Sequence, residues 1–134
     1  MELEIGDRDY IKYKVLAKDL AKNLEISIED NFPEVFATAR LVALMECSAA
    51  KLMIPIVKKG ELSVGVEVNM KHLAPTLEGD IVKSEATFIG MEGKLYKFSI
   101  EAFDTGGKVG ECIHTRAIVT EDRLMSGANK RLAK

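Results

Sequence analysis

The stretch FPEVFATARLVALMECSAAK, residues 32–51, decides how this 134-residue chain is read. From residue 39 to about 54, Leu41, Val42, Met45, Ala49, Leu52 and Met53 fall on one broad helical face, and Pro55 and then Gly60 close the segment. At about 100° per residue, Arg40 and Lys51 share one direction, whereas Glu46 falls on the other side among Val42, Ala50 and Met53. A helix apolar around nearly its whole circumference must be wrapped rather than laid on a surface. Glu46 is therefore expected to be buried or to stand at the mouth of a cleft. A carboxylate in such surroundings is costly unless it is paired, hydrogen-bonded or neutralised.

Outward from this helix the period of the apolar residues changes to two. Val64, Val66, Val68 and Met70 alternate with Ser63, Gly65, Glu67 and Asn69, and LAPT at 73–76 marks a turn. Three further strands are expected over about 80–89, 95–103 and 109–119, separated by GMEGK and DTGGK, whose glycines suit tight hairpins. Before the helix, Ile11, Tyr13 and Val15 alternate with Lys12 and Lys14, which predicts a strand with one wet face. The predicted order is strand, helix and then a continuous antiparallel meander, an α+β layout in which the sheet covers the helix. The polar tail over 121–134 reads as a solvated end, either a short helix or frayed chain.

Composition narrows the possible functions. With 47% apolar residues the chain suits one domain over 1–134. A net charge of −2, without a Lys/Arg stripe interleaved with aromatics, argues against a nucleic-acid partner. The opening MELEIGDRDY is charged from its second residue, and no uncharged run approaches the ~18 residues that span a bilayer. A cytoplasmic protein with no membrane partner is expected. Cys47 and Cys112 are far apart and lack metal-ligand spacing, so reduced, buried thiols are expected, with no disulfide and no metal.

Three residues carry possible chemistry. His72 has the parity of Met70 and Val68 and so points to the apolar face, towards the helix. With Glu46 it supplies two inward titratable groups suited to acid/base work, although each could equally be a satisfied structural residue. Thr38 stands before the helix, where its hydroxyl could cap a first-turn amide. If residues 38–46 are helical, Thr38 and Glu46 lie about 12 Å apart along the axis at roughly 1.5 Å per residue. Either the preceding loop bends back, or a second subunit completes a shared site.

FPEVFAT, the eight positions from Thr38 to Glu46, the twenty-six from there to His72 in HLAPT, and HTRAIV at 114–119 together resemble the fluoroacetyl-CoA thioesterase family of the hotdog superfamily. The resemblance covers about residues 32–119. It implies a hotdog fold, a long central helix wrapped by a curved antiparallel sheet, assembled as a homodimer with active sites at the subunit interface. It implies hydrolysis of a small acyl-CoA to free acid and coenzyme A, with no cofactor beyond the coenzyme A of the substrate. Thr38, Glu46 and His72 match the residues that act together in the family. Phe32 matches an aromatic residue that closes the acyl pocket, with a core plug as the plain alternative. Gly65 matches a glycine beside the site, or else marks a bend or bulge. Arg116 matches an arginine near the site, or else is an exposed strand charge, while His114 and Cys47 acquire no role. The rival readings are a hotdog dimer that binds acyl-CoA without cleaving it, a hotdog dehydratase or hydratase, and a domain in which Glu46 and His72 pair for structure alone.

Overall fold

The computed structural model describes residues 2–133; Met1 and Lys134, the ends of the expected domain and tail, lie outside the described residues. The elements are β1 (Arg8–Lys14), α1 (Thr38–Met53), β2 (Glu61–His72), β3 (Ile81–Glu92), β4 (Leu95–Asp104), β5 (Gly107–Thr120) and α2 (Glu121–Leu132), with short 3₁₀ turns before and after α1. Pro55 falls in the turn that follows α1, where it cannot continue the helical hydrogen bonding.

All strand pairs are antiparallel, and the sheet order is β1-β3-β4-β5-β2. The expected continuous meander is therefore corrected: only β3, β4 and β5 run consecutively, and β2 lies at the far edge beside β5. Alternation fixes which face a residue occupies but says nothing about which strand lies next to it. The 73–80 link crosses the end of the sheet. Along that path Leu73 N–H donates to Val109 O at 2.7 Å, and Thr76 Oγ1 donates to the Asp104 carboxylate at 2.8 Å.

Leu41, Leu44, Met45, Ala49, Leu52 and Met53 of α1 pack on Val82, Ala86, Phe98, Ile100, Val109 and Cys112 of the sheet. Gly110 permits this closeness: a Cβ there would lie 3.0 Å from Met45 Cε and 3.1 Å from Leu41 Cδ2. Ser48 lies wholly within the core, satisfied by Met45 O at 2.8 Å and by the Ser84 hydroxyl at 3.0 Å. Within one chain the sheet covers only one side of α1. Ala39 and Cys47 remain exposed, and Val42, Ala43, Glu46 and Ala50 remain half-covered. Cys112 is buried as expected, but Cys47 is exposed, because it lies on this open stripe. The tail forms α2, which is exposed along its whole length, with Glu121 and Asp122 in its first turn and Lys130 and Arg131 in its last, an order that suits the helix dipole.

One irregularity matters most for the site. Between Gly65 and Glu67 the pairing of β2 with β5 slips by one residue, leaving Val66 as a bulge. Gly65 and His72 are seven positions apart and would face opposite ways in a regular strand. The extra residue brings both to the helix side, opposite Arg116 and Gly110 respectively. The reading that set Gly65 on the polar face is corrected accordingly. Val64 instead shares the face of Ala117, and Val66 is 54% exposed.

Candidate active site

The first turn of α1 is held by a buried acid that the sequence does not advertise. Asp19 is fully buried, and its carboxylate accepts from Tyr13 Oη at 2.6 Å, Leu16 N–H at 2.8 Å and Arg40 Nε at 2.8 Å. Burial works against its ionisation, but the bonds from Tyr13, Leu16 and Arg40 outweigh it and hold the carboxyl below its ordinary 3.8. Its carbonyl also accepts from Ala37 N–H at 2.9 Å. Strand β1, the intervening loop and the helix entry are thus tied to one side chain.

Thr38 is the first helical residue rather than the cap. Ala37 occupies the N-cap with extended backbone, and no side chain caps the helix. The Thr38 hydroxyl lies instead 2.8 Å from His72 Nδ1. His72 Nε2 is buried and has no hydrogen-bond partner. Both residues open onto a groove of about 510 Å³ whose walls include Phe32, Phe36, Ala39 and Leu73. Phe32, 44% exposed, stands on its rim, whereas Phe36 is a core residue.

Glu46 lies two turns further along α1. Its Oε1 is 3.4 Å from Arg116 Nη1 and 3.8 Å from His114 Nε2, and its side chain is 39% exposed. Arg116 is not an exposed strand charge: it is 6% exposed, and its Nη2 donates to Ser63 O at 2.9 Å and to Ser63 Oγ at 3.1 Å. The structure therefore groups the candidates into two half-sites on one helix. Thr38, His72 and Phe32 form the first; Glu46, Arg116 and Gly65 form the second, together with His114. The signal for His114 was in the sequence, since residues 114 and 116 of one strand share a face. Among the described residues, no group of three His, Cys, Asp or Glu side chains is placed to hold a metal. Burial pushes the Cys112 thiol up to about 11, which leaves it inert.

Gly65 makes room for the second half-site, because a Cβ there would collide with Glu46 Oε1. The colliding atom ends a flexible side chain, so Gly65→Ala is expected to displace the carboxylate while leaving the fold intact. Turnover should fall by about a hundredfold, the scale of an ~1 Å misplacement, with thermal stability nearly unchanged. A variant that keeps native kcat would show that the Glu46 rotamer is unimportant.

Both histidines are pulled below their ordinary 6.5, mainly by burial. Below that pH the unfolded chain takes up protons that the folded chain refuses, so the unfolded state gains. The stability contributed by the two neutral rings is complete above 6.5 and is lost as pH falls towards their folded values. Urea midpoints at about pH 7.5, 6.5 and 5.5 should decline in that order. A flat series would mean that neither ring is perturbed. Asp19 adds its own loss only at more acidic pH, below 3.8.

The chain and its scaffold have counterparts among known proteins. A fluoroacetyl-CoA thioesterase of Streptantibioticus cattleyicolor is 35% identical over 88 residues, which cover 66% of this chain and 63% of that relative's length. A solved structure of the fluoroacetyl-CoA thioesterase FlK superposes with a TM-score of 0.92 at 28% identity, covering 97% of this chain and 98% of that one. A mutant of FlK in complex with fluoroacetate and CoA superposes with a TM-score of 0.87 at 29% identity, covering 91% and 99%. The helix wrapped by a five-stranded antiparallel sheet is the hotdog fold. With the profile of FlK, the fluoroacetyl-CoA-specific thioesterases, matching residues 15–122, the chain belongs to that family.

Proposed function

We propose that the chain hydrolyses a small acyl-CoA thioester to the free acid and coenzyme A, as a cytoplasmic homodimer with one hotdog unit per chain. The observation that carries this reading is the Thr38 hydroxyl, released from helix capping and bound to His72 Nδ1 at 2.8 Å. The S. cattleyicolor relative is named for the same bond type, and a solved FlK mutant holds fluoroacetate and CoA.

The two half-sites divide the work. The His72 ring, kept neutral by burial, accepts from the Thr38 hydroxyl through Nδ1 and holds it at the groove. Glu46 is the base that removes a proton from the attacking group. In the balanced reaction the acyl carbon gains the oxygen of water and loses the thiolate of coenzyme A, which takes up the remaining proton. A thiol ionises near roughly 8.5, so departure needs little assistance and no cofactor beyond the coenzyme A that the substrate carries. Phe32 closes the acyl groove, and Gly65 and Arg116 line the carboxylate's side.

A second copy brings the halves together. Thr38 and Glu46 of one chain are about 12 Å apart along the helix, at roughly 1.5 Å per residue. The open stripe of α1 carries Glu46, and the adjacent edge strand β2 exposes Leu62, Val66 and Val68 beside unpaired backbone groups. Pairing along that edge would cover the stripe and set the Glu46 of one chain near the Thr38 of the other.

The test is thiol release from a panel of short and medium acyl-CoAs, with Thr38→Ser and Thr38→Ala alongside. Release is expected, with Thr38→Ser within about tenfold of the native rate and Thr38→Ala down by about 10²-fold or more. Near-native rates in both variants would remove Thr38 from the chemistry. Tight CoA binding without release would identify a binding module instead.

A further inference from the structure

We infer that His114 is a positioning residue, a buried imidazole locked in one neutral tautomer that turns the Arg116 guanidinium towards Glu46. This deepens the thioesterase reading and rests on it. The ring is fully buried, with Nδ1 2.7 Å from Glu67 O and Nε2 3.1 Å from Arg116 Nη1. A carbonyl only accepts, so Nδ1 carries the proton; a guanidinium only donates, so Nε2 offers its lone pair. A doubly protonated ring would set N–H against N–H beside a cation. The ionisable groups facing the ring are Arg116 on its own strand and Glu46 on α1, while β2 presents only the Glu67 carbonyl. That carbonyl belongs to the residue just after the Val66 bulge.

Arg116 is gripped from two sides. Ser63 takes Nη2 and Nε, at 2.9 Å and 3.2 Å, and His114 takes one proton of Nη1. The other Nη1 proton is left for Glu46 Oε1 at 3.4 Å. Without the acceptor at Nε2, Nη1 loses one of its two partners, and the edge of the guanidinium that faces the carboxylate is held only through Ser63 on its far side.

Two substitutions separate this role from mere packing. His114→Gln keeps an acceptor near the place of Nε2, whereas His114→Asn keeps a donor for Glu67 O but presents nothing to Arg116. His114→Asn should lower kcat for thiol release by about a hundredfold with KM within about threefold, while His114→Gln stays within about fivefold of native kcat. Native kcat in His114→Asn, or equal losses in two folded variants, would overturn the inference. A ¹⁵N spectrum of the native ring reads the tautomer without any turnover: Nδ1 protonated and Nε2 bare at about pH 8, above the ordinary value near 6.5. A protonated Nε2 would also overturn it. Absence of thiol release by the native protein would refute the thioesterase reading, and the spectrum would still decide the tautomer and with it the aiming of Arg116.

Discussion

Replacing Glu46 with glutamine is expected to lower kcat by about 10²- to 10⁴-fold while leaving the protein folded, the range typical of a lost general base. The amide has the shape of the carboxyl and still offers an oxygen to Arg116 Nη1, now 3.4 Å from Oε1, so the packing around Gly65 and His114 should survive. What disappears is basicity. If the proton is removed only as the transition state forms, kcat and kcat/KM should fall together. Thiol-release kinetics, with circular dichroism and size-exclusion mass as controls on folding and assembly, make the comparison. Turnover within a few-fold of native would exclude Glu46 as the base and would turn attention to Thr38 and His72 alone.

Asp19→Ala is expected to produce the largest loss of stability, about 3 kcal/mol. Breaking a buried pair typically costs about 3–5 kcal/mol, and the low end applies because the Arg40 side chain is 40% exposed and can rehydrate. The Tyr13 hydroxyl and the Leu16 amide cannot recover as easily, since both bond the same carboxylate oxygen in a part-buried setting. For a chain of this length the loss corresponds to a fall of about 10 °C in Tm. Scanning calorimetry would measure it, and a change under about 2 °C would mean that the network is dispensable. Turnover should also suffer, because the same residue fixes the entry of α1 at Ala37, next to Thr38.

These two predictions fall on opposite sides of what the sequence displays. Glu46 stands out because it interrupts an apolar helix, and α1 itself was legible within a residue of each end from its apolar spacing and Pro55. Asp19, in the run LAKDLAKN, looks like any surface charge; its burial follows from Tyr13 and Arg40 converging on it, contacts made across separate elements. The strands from β3 to β5 were readable from alternation and the two glycine turns. The placement of β2 beside β5 was not, because a strand's alternation carries no record of its neighbour. Thr38 read as a cap because the residue type suits one, and only the position of His72 across the sheet end shows what claims the hydroxyl instead. The resemblance named Thr38, Glu46 and His72 as a set, but a single chain holds them as two groups. Residues 63–70 alternate so regularly that nothing in them betrays the bulge, and Gly65 was turned the wrong way for that reason.

That bulge makes the offset between β2 and β5 a constraint on the site. Ironing the bulge out with every residue kept would slip the upstream half of β2 by one position along β5, so that Val66 would stand opposite Arg116 and its bulk would project where the Glu46 carboxyl now rests. Surface loops such as that between Leu24 and Phe32 can absorb insertions at small cost. Within β2, a one-residue slip acts as a simultaneous replacement of several side chains, and the extra residue at Val66 is as much a part of the site as Gly65 and His72 themselves.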